Sequence, residues 1–369
     1  MKLLHIIDDM SYGGAQSLLS DLACVQKNVG IDVAVLVLKA CDSGFVSKLK
    51  NAGISIISLS EGSVYNPFLI FKIGKYIRNY NIVHVHLFPA QYWVAFAKIM
   101  YGLKIPLITT EHSTHNGRRN HPILKYVDRW IYCHSYQYIA CCSDKALDTF
   151  HTDFPVASAV SIPNGIDVER FLTAEPMDKT DIVGVSDSFL ITMVARFQYP
   201  KRQDVLIEAL CYLPSNAHVV LVGGEGPNKQ MARCKKLAQS LGVSDKVHFL
   251  GIRDDVPSIL KTSDVIVLSS EYEGLSLSSV EGMAAGHPFV ATDANGLREV
   301  VNNAGVLFPN GDSRQLASII NHLYRDKVTR NAIAEQCRQR ALDYDIRKME
   351  RSYFKLYQNT LKITMRTYL

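Results

Sequence analysis

Thirteen short apolar runs recur along this chain, with helix-length amphipathic segments or turns between them. Most of the runs are apolar on both faces rather than alternating. A strand covered on both sides must read this way, so the pattern calls for parallel sheets sandwiched between helices. In the first half the runs are Leu3–Ile7, Val33–Leu38, Ile54–Leu59, Ile82–His86, Pro106–Thr110, Tyr138–Cys142 and Val160–Ile162. Residues 173–187 are polar and aperiodic and read as a linker. The pattern then restarts with Phe189–Val194, His218–Val222, Val247–Leu250, Val265–Leu268, Phe289–Ala291 and Val306–Phe308. Two successive α/β units are the simplest arrangement. The last segment, Tyr344–Lys362, reads as a long amphipathic helix with no strand after it, a tail able to cross back onto the first unit.

The chain has 369 residues, which at ~150 residues per domain also suggests two domains. Hydrophobic residues make up 47% and charged residues 20%, enough for full cores and against disorder. The net charge of +5 does not mark a nucleic-acid binder. No apolar run approaches the ~18 residues of a membrane span, and Asp8 and Asp9 interrupt any signal-peptide core. Eight cysteines without a CxxC spacing suit a reduced, cytoplasmic compartment better than a disulfide framework or a zinc site.

Several strand ends carry residues suited to an anionic ligand. After the first run come Gly13, Gly14, Ala15 and Gln16 and then a helix, a place where the backbone can approach a phosphate and helix N–H groups can meet it. A plain tight turn accounts for the same residues equally well. Arg196 and Lys201 follow the Phe189–Val194 run, and two cations at the carboxyl edge of a sheet suit a diphosphate, although a solvated basic loop is the commoner outcome. Gly223, Gly224, Glu225 and Gly226 end the next run, and three glycines there permit close backbone approach, as does any ordinary strand-to-helix turn. The segment Ser269–Gly286 is the most informative. A strand ends in a loop holding Glu273, and a helix begins near Leu277 with Glu281 about one turn inside it. The N–H groups of Leu275–Ser278 would then face what Glu273 faces, and a diphosphate there needs no metal to neutralise it, although for the isolated pair two solvated glutamates flanking a helix cap are the commoner outcome.

His112 ends the Pro106–Thr110 run and suits a donor or orienting role, or a buried, hydrogen-bonded one. His84 and His86 share one strand face but have no third metal ligand close in sequence. Residues 98–129 hold six cations, Arg118 and Arg119 among them, against two acids, with Tyr92, Trp93, Tyr101 and Trp130 nearby. A basic aromatic surface of this kind suits an anionic membrane or a phosphorylated acceptor, or is an ordinary solvated face.

Taken together these segments resemble the retaining nucleotide-sugar glycosyltransferases of the group 1 family (family 4), which have the GT-B fold. The strongest marker is E-x7-E, here Glu273 and Glu281, set between Asp264–Ser269 and Glu281-Gly282-Met283-Ala284-Ala285-Gly286-His287-Pro288. Gly223–Pro227, Val247–Gly251 and Ile162-Pro163-Asn164-Gly165-Ile166-Asp167 stand in the family's order. The resemblance implies two Rossmann-like domains facing across a cleft. The first, 1–175 with the tail helix 346–369, would hold the acceptor, and the second, 176–345, the nucleotide sugar. It implies Arg196 and Lys201 on the diphosphate, with Gly13 and Gly14 against it from the facing domain. Glu281 would bind the ribose, and Glu273 the donor sugar with Gly274, Leu275, Ser276 and Leu277. Gly224, Glu225, Ile252 and Arg253 would lie toward the nucleotide. His112 would sit near the transferred sugar, and Gln16, Arg118 and Arg119 on the acceptor side. Two departures stand out: Gln16 replaces a frequent Glu, and Lys201-Arg202 replaces the usual Lys-Gly.

The implied reaction moves a hexose-type sugar from a UDP- or GDP-linked donor to a glycan or lipid-linked acceptor, with retention, without a metal and without another cofactor. Surface polysaccharide assembly in the cytoplasm, at the inner membrane face, fits the family. A nucleotide-sugar epimerase on the same fold and a non-catalytic sugar-nucleotide or glycan-binding protein are the alternatives. The first is separated by acceptor dependence and the second by donor turnover.

Overall fold

The computed structural model describes residues 1–112, 121–154, 156, 158–226 and 228–366, with side chains through residue 363. The chain forms two compact units, Met1–Gly165 with Ile346–Leu369, and Ile166–Asp345.

The first unit is built on β1 (Lys2–Ile7), β2 (Asp32–Val37), β3 (Ser55–Ser58), β4 (Ile82–His86), β5 (Leu107–Glu111), β6 (Tyr138–Cys141) and β7 (Ala159–Ser161). These pair in parallel in the order β3-β2-β1-β4-β5-β6-β7. Every residue of β4 and β5 is buried, which is what apolar reading on both faces requires. The helix Ile346–Arg366 belongs to this unit. Its Tyr353 and Tyr357 are buried, with hydroxyls 2.9 Å from Thr110 Oγ1 and 2.7 Å from His84 Nδ1.

The second unit carries β8 (Phe189–Val194), β9 (Ala217–Val222), β10 (Val247–Gly251), β11 (Val265–Leu268), β12 (Phe289–Thr292) and β13 (Val306–Phe308). Their parallel order is β10-β9-β8-β11-β12-β13. All thirteen strands lie where the apolar runs put them, to within a residue at each end. The two Rossmann-like units thus share one topology over six strands, with β7 added at the edge of the first. The strand order reverses between β1 and β4 in the first, and between β8 and β11 in the second. Outside the carboxyl ends of such a pair an open α/β sheet leaves a crevice for ligands.

The contacts divide the chain after Gly165, not after residue 175. Val168 and Phe171 of the helix Val168–Leu172 are buried in the second core, and Ile166 N–H donates to the Tyr344 carbonyl at 2.9 Å. Nor are residues 173–187 a plain linker. Asp178 caps a short helix, Lys179–Val183, that buries Ile182 and Val183 with Leu190 and Val220. Lys179 pairs with Asp264 at 2.7 Å. Two apolar residues in a polar run are too few to show a period, so the sequence pattern passes over them.

Candidate active site

Three loops of the second unit are tied together at the carboxyl ends of β8, β11 and β12. Ser269 Oγ donates to the Arg202 carbonyl at 2.7 Å, and Glu271 N–H to the Pro200 carbonyl at 2.9 Å. These bonds hold the loop after β8 against the loop after β11. They bring Lys201 Nζ to 2.5 Å from Glu273 Oε1, with the two side chains only 19% and 11% exposed. Glu273 N–H in turn donates to the Asn295 carbonyl at 3.0 Å. The next residue, Gly296, has φ +81°, and a Cβ there would fall 2.2 Å from the Glu273 carbonyl oxygen. Only glycine suits both conditions, so the loop after β12 fixes the carboxylate's backbone. The reading of the sequence missed Asn295 and Gly296, although an Asn-Gly pair after a strand is a turn signal.

The helix Leu277–Ala284 starts where expected, with Ser276 at its N-cap and Glu281 half-buried one turn inside. Leu275 and Leu277 pack against the core, so their side chains anchor this helix end, and the Leu277 N–H belongs to its positive pole. Arg196 lies just beyond β8 with an exposed side chain, and its carbonyl accepts from Gln203 Nε2 at 3.0 Å. Lys201, Glu273, Gly274 and Ser276 therefore stand on one cross-braced platform, followed by the helix that bears Glu281.

Two of the glycines after β9 admit a neighbouring loop. Gly223 has φ +147°, and a Cβ on it would lie 2.1 Å from the Ala195 carbonyl oxygen. Phe197 N–H donates to the Gly224 carbonyl at 2.8 Å, and Gly226 N–H returns a bond to the Phe197 carbonyl at 2.9 Å. The close approach here is that of the Arg196-bearing loop itself. Glu225 Oε1 accepts the Met231 N–H at 3.0 Å, at the start of the helix Gln230–Ser240. Ile252 is exposed beside Gly224, and Arg253 pairs with Asp255 at 2.5 Å.

In the first unit Gly13 is the N-cap of the helix Gly14–Asn28, and Gln16 is buried in its first turn. Asp8, just past β1, is raised to about 6 by burial. His112 follows β5. Its Nε2 lies 3.1 Å from His86 Nδ1, and His86 Nε2 lies 3.0 Å from His5 Nδ1. His5 and His84 are register partners on β1 and β4, so the fold supplies the third imidazole that sequence spacing lacked. One nitrogen from each of His5, His84 and His86 falls within 4.8 Å of the others. All six ring nitrogens of this trio already meet a side chain, namely Gln26, His86, Tyr357, Thr110, His5 and His112. A metal there would have to break these bonds, so the donor set fits a hydrogen-bonded network better than an ion site. Burial lowers His5 and His112 to about 4, and His84 and His86 well below the ordinary histidine value.

Arg118 and Arg119 lie outside the described residues. The basic stretch around them is less of a surface than its composition suggests. Lys98 is lowered to about 8 by burial and donates to the Ser135 carbonyl at 2.9 Å. Asp128 is buried and accepts from the Tyr92 hydroxyl at 2.7 Å. Trp93 is tied to the Val64 carbonyl at 2.8 Å. Exposed apolar residues among those described here are Ile99 and Met100, and Ile123, Tyr126 and Trp130 on or beside the helix Leu124–His134. Among the described residues no helix is long and apolar enough to cross a membrane.

Comparison with known proteins agrees with this architecture. Residues 12–170 match the model of Glycosyltransferase Family 4, and residues 178–340 that of Glycosyl transferases group 1. An N,N'-diacetylbacillosaminyl-diphospho-undecaprenol alpha-1,3-N-acetylgalactosaminyltransferase of Campylobacter jejuni is 32% identical over 47% of this chain. That match spans 45% of the relative, so about half its length is covered. A phosphatidyl-myo-inositol mannosyltransferase of Mycobacterium leprae is 26% identical over 94% of this chain and 93% of its own. The solved structure of Anabaena Alr3699/HepE in complex with UDP-glucose superposes with a TM-score of 0.86 at 23% identity, covering 97% of this chain and 100% of that one. Two Rossmann-like units of matching topology, the E-x7-E platform and both family models lead to one assignment: the chain belongs to the group 1, family 4 glycosyltransferases, enzymes of the GT-B fold.

Proposed function

We propose that the protein transfers a hexose-type sugar from a nucleoside-diphosphate donor to a lipid-linked or glycan acceptor, with retention of configuration and without a metal. The observation that carries this reading is the braced Lys201–Glu273 pair at the β8/β11 switch point, next to the helix bearing Glu281. Arg196, Lys201 and the N–H groups at Leu275–Ser278 stabilise charge that builds on the leaving diphosphate. The cations and the helix pole supply positive charge in place of an ion. Glu281 accepts from the ribose hydroxyls. Glu273, held from both sides, orients the donor sugar, and the leaving phosphate takes the acceptor's proton in a front-face reaction.

A uridine or guanosine diphosphate sugar is the donor. The UDP-glucose named with the Anabaena structure and the diphospho-undecaprenol acceptor named for the Campylobacter relative support this choice of substrates. The reaction serves surface polysaccharide assembly in the cytoplasm, at the inner face of the membrane. The exposed Ile123, Tyr126 and Trp130 beside basic residues suit such a surface.

The test is a thermal-shift panel of UDP, GDP, ADP and CMP with EDTA present. A nucleotide at ~100 times its dissociation constant stabilises by ~2.7 kcal/mol. A shift with UDP or GDP alone is expected, and no shift with any of the four removes the donor site.

A further inference from the structure

In the first unit four side chains form one unbranched row. Gln26 Oε1 lies 2.8 Å from His5 Nε2, His5 Nδ1 lies 3.0 Å from His86 Nε2, and His86 Nδ1 lies 3.1 Å from His112 Nε2. A neutral imidazole carries one ring proton, so a ring that donates at one nitrogen accepts at the other. The direction of the row is therefore decided once, at its inner end. There the Gln26 amide presents its Oε1 to His5 and its Nε2 to the Tyr357 hydroxyl, 3.3 Å away. Accepting from Gln26, that hydroxyl has its own proton for His84 Nδ1, 2.7 Å away, which leaves His84 Nε2 to donate to Thr110 Oγ1 at 2.7 Å. With the Gln26 oxygen facing His5, the proton sits on Nε2 of His5, then of His86, then of His112. His112 Nδ1 keeps its lone pair, and among the described residues it makes no hydrogen bond. Turning the one amide over would move all three protons to Nδ1.

We propose that Gln26 is a positioning residue that acts through His5 and His86 to fix His112 as its Nε2–H tautomer, so that His112 Nδ1 accepts a hydrogen bond from a substrate hydroxyl instead of donating one. Burial keeps the rings neutral at neutral pH, and neutrality is what transmits the choice from ring to ring. A site that presents an acceptor selects a sugar with a free hydroxyl at that point and rejects one whose hydroxyl is missing or alkylated. Naming a sugar as the hydroxyl's owner rests on the transferase reading; the tautomer does not.

The test is a long-range proton–nitrogen correlation spectrum of the full chain labelled with 15N in its histidine rings, with His112 assigned by its loss in His112→Gln. His5, His86 and His112 are expected as single Nε2–H tautomers in the unaltered protein. Gln26→Met deprives the row of its terminal acceptor, so His112 should show both tautomers while His218 and His248 of the second unit keep their signals. Protonation of His112 at Nδ1 in the unaltered protein overturns the proposal, even if the variant does not fold. A single Nε2–H signal retained in folded Gln26→Met overturns it too. The spectrum is read on free protein, so the tautomer stands or falls separately from the UDP thermal shift.

Discussion

In the first unit the strands around the switch point carry histidines, His5 on β1 and His84 and His86 on β4, all buried and neutral. In the second unit the equivalent strands are apolar through most of their length, and the charged groups sit in the loops beyond them, Arg196 and Lys201 after β8 and Glu273 after β11. The same topology thus holds its titratable groups in two ways. Inside the sheet a titratable side chain must be uncharged and fully hydrogen-bonded, because burial of a charge is costly. At the sheet edge a cation and a carboxylate can coexist half-buried, provided that neighbouring loops brace them. The first arrangement suits fine orientation of a neutral group, and the second suits binding and stabilisation of a polyanion.

The comparison breaks most visibly at Lys201. Lys201→Ala removes a cation from the diphosphate and leaves Glu273 without its partner, so donor turnover should fall by ~10²–10³-fold. Unchanged turnover would show that this platform is not the reacting site. The two units should also part company in acid. Trp93 and Trp130 are the chain's two tryptophans and both lie in the first unit, so their fluorescence follows that unit's unfolding. His5 is lowered from 6.5 to about 4, so between these values the unfolded chain binds a proton that the folded ring refuses. Stability is full above pH 6.5 and falls as the pH drops toward 4, by on the order of 3 kcal/mol for His5 alone. His84, His86 and His112 act in the same direction. A denaturant midpoint by tryptophan fluorescence that does not move between pH 7.5 and 5 would contradict the buried neutral row.

Smaller effects sharpen the bracing argument. Gly296→Ala puts a Cβ against the Glu273 carbonyl at positive φ, and should cost about 1–3 kcal/mol in a thermal melt while lowering turnover. A melt that matches the unaltered protein would mean the loop yields freely. Smallest is the split between the two glutamates. Glu281→Ala should weaken UDP binding by about tenfold, or ~1.4 kcal/mol, whereas Glu273→Ala should lower turnover and leave UDP affinity in place. Calorimetry that finds equal losses of affinity in both would refute this division of roles.

The sheets were legible because strands buried on both faces announce themselves as apolar runs, whereas their order was not, since alternation alone suits more than one doubly wound order. The E-x7-E pair was legible because both glutamates lie on one loop-helix segment. What sequence hides is the meeting of distant segments. His5 and His84 become neighbours only when β1 pairs with β4, and Gln26 joins them from a helix, so no spacing rule links the three. Gly296 touches Glu273 across two loops for the same reason. Gly223 left two readings open, because a glycine at a strand end carries one signature whether a phosphate or a neighbouring loop approaches it. The short helix Lys179–Val183 and the transfer of Val168 and Phe171 to the second core were hidden by brevity.

The most direct test of the account is hydrogen exchange of the full chain with and without UDP in the presence of EDTA. UDP should slow exchange in the segments around Arg196–Lys201 and Glu271–Glu281, the two loops braced at the β8/β11 edge. Exchange unaltered in both segments at saturating UDP would contradict the claim that this platform holds the donor.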